Sequence, residues 1–392
     1  MEVSADSKTV TASVNAYCMD TAIRYARNTA EAIAGITVAL PDHDISTLII
    51  NVPEESISHL VAESDMSLAI DLTKLIVTFD ALALQAIYNA GDGGGMVLTV
   101  SLLSLSSLYE AGVSAEDLAI AGNNPLFDIS VAMGGNYVTD FLGGRAVLTI
   151  PYTPASGQNI LAIIPIHINA DGDLFILRGM YHDYARFDGH DGYVQFATKH
   201  FSIFGVGYNP VTFTDVPANR WYRQAVDFIG ARRATAGASE FNFYPDRNTT
   251  REEFLVMMMV AYGIQPDNNP LAPNFTDATG EFTGYLAAAR ALGLVNGVGD
   301  NRFAPTNPIN RQEMTVLVYN VLELIGELPA PIPGTEPASS FQDFEQVSSW
   351  ARPAMEWMVE SGTIIGDRGL LTPRSPAQRS QMAQLLFNLL TK

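Results

Sequence analysis

Apolar positions along the chain change their period near Pro210. Before it, apolar and polar residues alternate in short runs, which predicts strands at 10–14, 36–40, 47–52, 67–72, 76–79 and 96–102. Helical spacing falls between these runs, at 20–32, 54–64, 80–89 and 114–121. From Leu126 onward the pattern is nearly all strand, at 127–132, 145–151, 160–168, 174–177 and 193–198. Asp171-Gly172 between two apolar runs is a hairpin-turn signal, and Asp188-Gly189 and Asp191-Gly192 are of the same type. Residues 1–210 therefore read as an α+β, β-rich module.

After Pro210 the spacing becomes helical and repeats. Trp221, Ala225, Val226 and Ile229 share one helix face, and Trp350, Ala354, Met355 and Met358 repeat that register. The second copy has Tyr285, Leu286 and Ala289, with Glu281 at the tryptophan place. Each copy opens with Phe-x-Asp: Phe213 and Asp215, Phe275 and Asp277, Phe341 and Asp343. An aspartate just ahead of a helical pattern reads as an N-cap or turn residue. Each copy also places an arginine six positions after a proline: Pro245/Arg251, Pro305/Arg311 and Pro373/Arg379. Fixed internal spacing of this kind marks a structural repeat. Thr250 with Glu253, and Asn310 with Glu313, fit capping boxes that start a second helix. Glycine turns, Gly293 to Gly297 and Gly362 to Gly366, close the first helix in copies two and three.

The order Phe-x-Asp, Trp, Gly-x-x-x-Gly, aromatic-x-Pro, Thr-Arg-x-Glu resembles the S-layer homology repeat. Three copies cover 211–268, 269–330 and 331–392. The resemblance implies an all-α, pseudo-threefold, three-pronged domain that attaches surface proteins noncovalently to secondary cell-wall polysaccharide. It implies a pyruvylated sugar as ligand, gripped in grooves between prongs. Carried onto this sequence, the family's ligand positions are Asp215, Trp221 and Arg251; Asp277, Gly297 and Arg311; and Asp343, Trp350, Gly366 and Arg379. An arginine opening a helix faces a site that favours anions, and its planar fork suits a carboxylate. A neighbouring acid such as Glu252 or Glu253 would serve the arginine equally well. Copy one has Arg233 at the first glycine place, copy two lacks the tryptophan, and copy three has Gln378 and Gln381 for threonine and glutamate. One or two competent grooves are therefore expected.

Composition narrows the partners. A net charge of −20 argues against nucleic acid. No apolar run approaches the length of a membrane span. One cysteine, Cys18, allows no internal disulfide. No apolar leader opens the chain, so an exported protein would carry its signal upstream or have lost it. After Pro210 the basic residues are arginines except for the terminal Lys392.

In the first module, residues 144–152 and 194–202 resemble the globular unit found ahead of such repeats in bacterial surface proteins, a likeness that carries no catalytic residue. Gly91-Asp92-Gly93-Gly94-Gly95 follows a helix and precedes a strand, the reverse of a phosphate loop. Tyr181, His182, Asp183, Asp188, His190 and Asp191 match no metal spacing. His200 reads as a core histidine. The expected function is a non-catalytic, wall-anchored extracellular surface protein without metal or cofactor, with other surface-layer subunits as further partners. The alternative is a polysaccharide-degrading enzyme whose catalytic domain lies in 1–210. Against it, all three tryptophans (Trp221, Trp350 and Trp357) lie after Pro210, whereas sugar-cleaving clefts stack substrate on aromatic faces.

Overall fold

In the computed structural model, residues 2–4, 8–39, 45–110, 112–184, 189–271 and 273–391 are described. They form two units, Met1–Asn209 and Pro210–Lys392.

The first unit holds two sheets. Three times the chain runs from a strand through a helix to a strand and changes sheet on the way. Thr9–Ser13, Thr47–Val52 and Met96–Leu103 lie in the first sheet, and Ile33–Thr37, Ser67–Asp71 and Ile76–Phe79 in the second. Helices Ala16–Ala26, Glu54–Ala62 and Ala81–Ala90 make these connections. Leu126–Met133, Ile203–Tyr208, Ile163–Ile168 and Leu174–Ile176 extend the first sheet. Ala146–Tyr152, Gly192–Thr198 and Gly179–His182 extend the second. Ile50, Leu98 and Ile129 from one sheet join Leu68, Val77 and Leu148 from the other in a single core, with Met19, Ile57 and Leu84 from the helices.

Two departures from the expected pattern have physical causes. The first helix starts four residues earlier than its apolar spacing suggests, because the Asn15 side chain accepts the Tyr17 N–H and caps it. The strand Ile203–Tyr208 is central, yet Gly205 and Gly207 disguise it. A Cβ on Gly205 would stand 2.6 Å from Leu126 Cδ2, so only glycine lets the neighbouring strand close. The glycine run 91–95 joins a helix to a strand as expected. Residue 40 of one expected strand, and Asp188, lie outside the described residues. His200 is half-buried, and among the described residues the buried histidine is His167, which sequence reading missed.

The second unit corrects the all-α expectation. Helices Arg223–Ala231, Arg251–Ala261, Thr283–Ala291, Arg311–Leu324, Arg352–Glu360 and Arg379–Leu390 are present. Extended segments, however, hold the centre. Just before each second helix the chain is straight and bridges its counterparts: Asn248 with Gln378, Thr250 with Pro308, Asn310 with Pro376. The Thr249 amide donates to the Ala377 carbonyl, Ala377 to Ile309, and Ile309 to Thr249, which closes a ring of three. Helical periodicity could not announce this, because each extended run is only a few residues long and pairs with runs far away in sequence. Further short pairings, Gly299 with Arg302 and Asp367 with Leu370, and three 3-10 turns in copy three add to the mixture.

His167 gives a test of the first unit. Its ring stacks on Phe204 at 5.2 Å and Phe175 at 5.8 Å, and its Nε2 is buried without a hydrogen bond. Burial, helped by His200, holds its pKa down to about 4. The unfolded chain takes up this proton near pH 6.5 and the folded chain does not. Stability is therefore full above that pH and lost as pH falls toward 4. At pH 4.5 the loss should be roughly 2–3 kcal/mol. His167→Phe should remove that share of the acid-side decline in urea unfolding at pH 7 and 4.5. A variant whose stability tracks the wild type across both pH values would reject this.

Candidate functional site

The recurring Phe-x-Asp aspartates do not cap the following helix. Each turns back to hold the aromatic-x-Pro corner of its own repeat. Asp215 accepts the N–H groups of Phe243 and Tyr244 at 2.8 and 2.7 Å. Asp277 accepts those of Phe303 and Ala304, both at 2.8 Å, and Asp343 those of Leu371 and Thr372, at 2.8 and 2.7 Å. The middle residue of each corner is left-handed, with φ of 59° at Tyr244, 56° at Ala304 and 48° at Thr372. A carboxylate bridging two successive amides offsets that strain. Burial pushes the Asp277 carboxyl up, and the two amides more than reverse it, holding it below the usual carboxylate range.

That corner leaves one carbonyl free, and the helix-opening arginine of the preceding repeat takes it. Arg251 Nε donates to Phe303 O at 2.9 Å, Arg311 Nε to Leu371 O at 2.9 Å, and Arg379 Nε to Phe243 O at 2.8 Å. Two guanidiniums also lie over the ring whose carbonyl they hold: Arg251 over Phe303 at 4.6 Å and Arg379 over Phe243 at 4.7 Å. With Nε fixed, the Nη atoms of each arginine point into the space between repeats, and the three spaces differ.

At Arg251 a cavity of about 430 Å³ is lined by Asn296 and Gly297 of copy two, Glu313 and Asn320 of its second helix, and Trp350 of copy three. Arg251 Nη1 donates to Glu313 at 2.8 Å. Glu313 also accepts the Asn310 N–H and so caps its own helix with the other oxygen. At Arg311 a smaller cavity of about 220 Å³ is lined by Ile365, Gly366, Gln381 and Trp221. Gln381 stands where a glutamate would be, so Arg311 has no side-chain acid within ion-pair distance among the described residues. Burial lowers its pKa, and the fields of Asp343 and Asp367 oppose that. Trp221 and Trp350 are exposed, at 61% and 56%. Exposed tryptophans on groove walls are available for stacking, and cavities of this size suit one or two sugar rings.

The third space is closed. Arg379 is 0% exposed and donates to Ala236 O at 2.6 Å and Glu253 at 3.4 Å. Arg247 fills the mouth, holding Glu253 at 2.6 Å and Gly237 O at 2.9 Å. Burial pulls the Arg379 pKa down to about 10, and Glu253 resists the fall. Nearby, the Glu252 carboxyl is pushed up by burial, then by Glu253 and Glu281. The space that lacks tryptophan is thus lined by acids.

Gly297 and Gly366 serve the backbone. Their φ values are 75° and 63°, and a Cβ on Gly297 would press on Phe275 at 2.8 Å, one on Gly366 on Leu370 O at 2.8 Å. Gly237 takes the same place in copy one, with φ of 78°. Arg233 adopts the left-handed turn at φ 57° that Gly293 and Gly362 take at 73° and 66°. Sequence reading missed Arg247, Asn296 and Asn320. Glu313 had a visible signal, as the last residue of a capping box. Among the described residues, no group of three His, Cys, Asp or Glu side chains could hold a metal ion, and no helix is long and apolar enough to cross a membrane.

Comparison with known proteins agrees with the repeats. The family model for the S-layer homology domain matches residues 212–255 and 274–315. The chain therefore carries two S-layer homology repeats, and residues 331–392 repeat their aspartate clamp and helix-opening arginine. The S-layer protein sap of Bacillus anthracis is 28% identical over 45% of this chain and 21% of its own length. An amylopullulanase of Thermoanaerobacterium thermosulfurigenes is 26% identical over 52% of this chain and 11% of its own. The exoglucanase XynX of Acetivibrio thermocellus is 27% identical over 48% and 17%. The matches thus span about a fifth or less of these relatives.

The closed space makes a stability prediction. Arg379→Ala leaves the carbonyls of Phe243 and Ala236 without their donor and removes one of the two cations at Glu253, and should cost about 3–5 kcal/mol. Arg311→Ala loses one carbonyl bond and should cost about 1–2 kcal/mol. Calorimetric melting of the two variants separates them, and equal losses would refute the structural role of Arg379.

Proposed function

We propose that the chain is a non-catalytic surface protein held on the bacterial wall by its repeats. The grooves at Arg251 and Arg311 would take carboxylate-bearing, pyruvylated sugar of the secondary wall polysaccharide. The observation that carries this reading is the shared make-up of the two open grooves. Each offers arginine Nη atoms from one repeat, a glycine-turn wall from the next and an exposed tryptophan from the third. A charged fork beside an aromatic face is what an acidic sugar requires. The relatives support anchoring as the common element, since their names divide between S-layer proteins and polysaccharide-cleaving enzymes. The non-catalytic part of the proposal is supported by residues 1–209, where no tryptophan occurs. Contacts with further surface-layer subunits belong to the same proposal.

Groove three is expected to bind nothing, so isothermal calorimetry of the full chain with released wall polymer should fit at most two sites. In co-sedimentation, the chain should pellet with polymer-bearing wall sacculi and stay soluble with sacculi stripped of that polymer. Arg251→Lys and Arg311→Lys should each weaken binding by roughly tenfold, since lysine has no second nitrogen for the ligand. A double lysine variant that pellets like the wild type would overturn the carboxylate grip.

A further inference from the structure

A second cavity, of about 310 Å³, adjoins the Arg251 groove and shares Val295 and Asn296 with it. Arg290 and Arg302 both line it, with Asn301. We propose that it is an oxyanion subsite, which takes the next phosphate or carboxylate along the polymer seated in the Arg251 groove. This rests on the anchoring reading above.

Observations on both arginines, on Asn296 and on the three copies carry the assignment. The Arg290 guanidinium lies over Phe275 at 4.7 Å, and its Nη1 is buried without a hydrogen-bond partner among the described residues. An unmet charged donor is costly, and a small turn of the guanidinium toward the cavity it lines would let an oxyanion there satisfy it. Arg302 has only Asp300 beside it, at 3.6 Å, with both side chains largely in water, so that pair competes weakly. Asp277, also near, has both oxygens on backbone amides.

The Arg302 backbone is fixed in a turn, with its side chain in water. Val298 N–H donates to Arg302 O at 2.7 Å and Arg302 N–H to Gly299 O at 2.9 Å, around a turn with Asp300 and Asn301 at φ 51° and 56°. The Asn296 side chain makes no hydrogen bond among the described residues and stands exposed between the two cavities. Finally, the fold does not demand these side chains. The amides of Arg233, Gly293 and Gly362 donate to Gly230, Arg290 and Val359, which makes those three positions equivalent. Arg302, Asn242 and Leu370 likewise precede the clamped corner residue. Both arginines are thus peculiar to the second repeat.

The test uses the full chain. Arginine Nε–Hε resonances are followed by NMR during titration with inorganic phosphate, and in parallel with pyruvate. Arg290→Gln and Arg302→Gln assign the two signals. Saturable shifts of both at millimolar probe, retained in Arg251→Gln and lost at Arg302 in Arg290→Gln, support the site. The stronger probe then identifies a phosphate-bearing or a carboxylate-bearing group. Shifts that never saturate, or that are equal at all arginines, overturn it.

Wall co-sedimentation completes the test. Arg302→Gln changes an exposed side chain and should leave melting unaltered, yet it should lower affinity for polymer-bearing sacculi by roughly tenfold. If Arg251→Gln abolishes pelleting while Arg290→Gln and Arg302→Gln pellet like the wild type, the polymer does not reach the subsite and the proposal fails. If pelleting ignores all three arginines while phosphate still saturates Arg290, the anchoring reading fails and the oxyanion site stands alone.

Discussion

Everything in the repeat unit depends on one hydrogen bond made three times, from the Nε of a helix-opening arginine to a corner carbonyl of the next repeat. The third closes the circle, from Arg379 back to Phe243 across 136 positions of sequence. Around it the backbone ring of Thr249, Ala377 and Ile309 donates in the opposite sense, each amide to the preceding repeat. The outer packing follows. The second helix of each repeat lies on the first helix of its successor, and Phe387 of the last helix meets Phe228 of the first at 5.2 Å. No repeat buries its own apolar face alone, so the three form one cooperative body.

The symmetry of this frame makes the differences between grooves interpretable. The decisive position is the third residue of the second helix. As Glu313 it caps its helix and restrains Arg251 from one side, leaving the cavity open. As Glu253 it meets two arginines, Arg379 and Arg247, and Arg379 is fully buried. As Gln381 it still accepts the Gln378 N–H, which keeps the helix start, while releasing Arg311 from any acid. One position thus sets helix capping and groove charge together.

Local signals were legible in the sequence and long-range ones were not. The six-residue proline–arginine spacing, the capping boxes at Thr250 and Asn310 and the strand 47–52 all stand where the pattern put them. These depend on neighbours within a turn or a strand length. The Phe-x-Asp aspartates are turn residues, one of the two readings their pattern allowed, but the amides they hold could not be named because these lie 26 to 29 residues away. The extended centre of the repeat unit was invisible for the same reason. Gly205 and Gly207 hid a central strand, since glycine reads as a turn until the neighbouring backbone shows why a side chain is forbidden. Among the candidate site residues, the arginines and tryptophans could be assigned to grooves only through the family resemblance, since spacing alone gives no groove. Which groove stays open depends on Arg247, Glu281 and Gln381, positions where the three copies disagree.

The near absence of lysine after Pro210 now has a physical account. A lysine at position 251 or 311 carries a single nitrogen, which could hold the corner carbonyl or face the groove, but not both. Arginine separates the tasks: Nε is committed to the fold, and that bond orients the Nη pair without further loss of freedom. The same division would let a chain of net charge −20 meet the anionic polymer proposed as its ligand. The repulsion is long-ranged and is screened within about 8 Å at physiological salt, whereas the fork acts at contact and partly out of water. Moderate salt should then leave such binding intact or strengthen it, the opposite of what a diffuse basic surface would do.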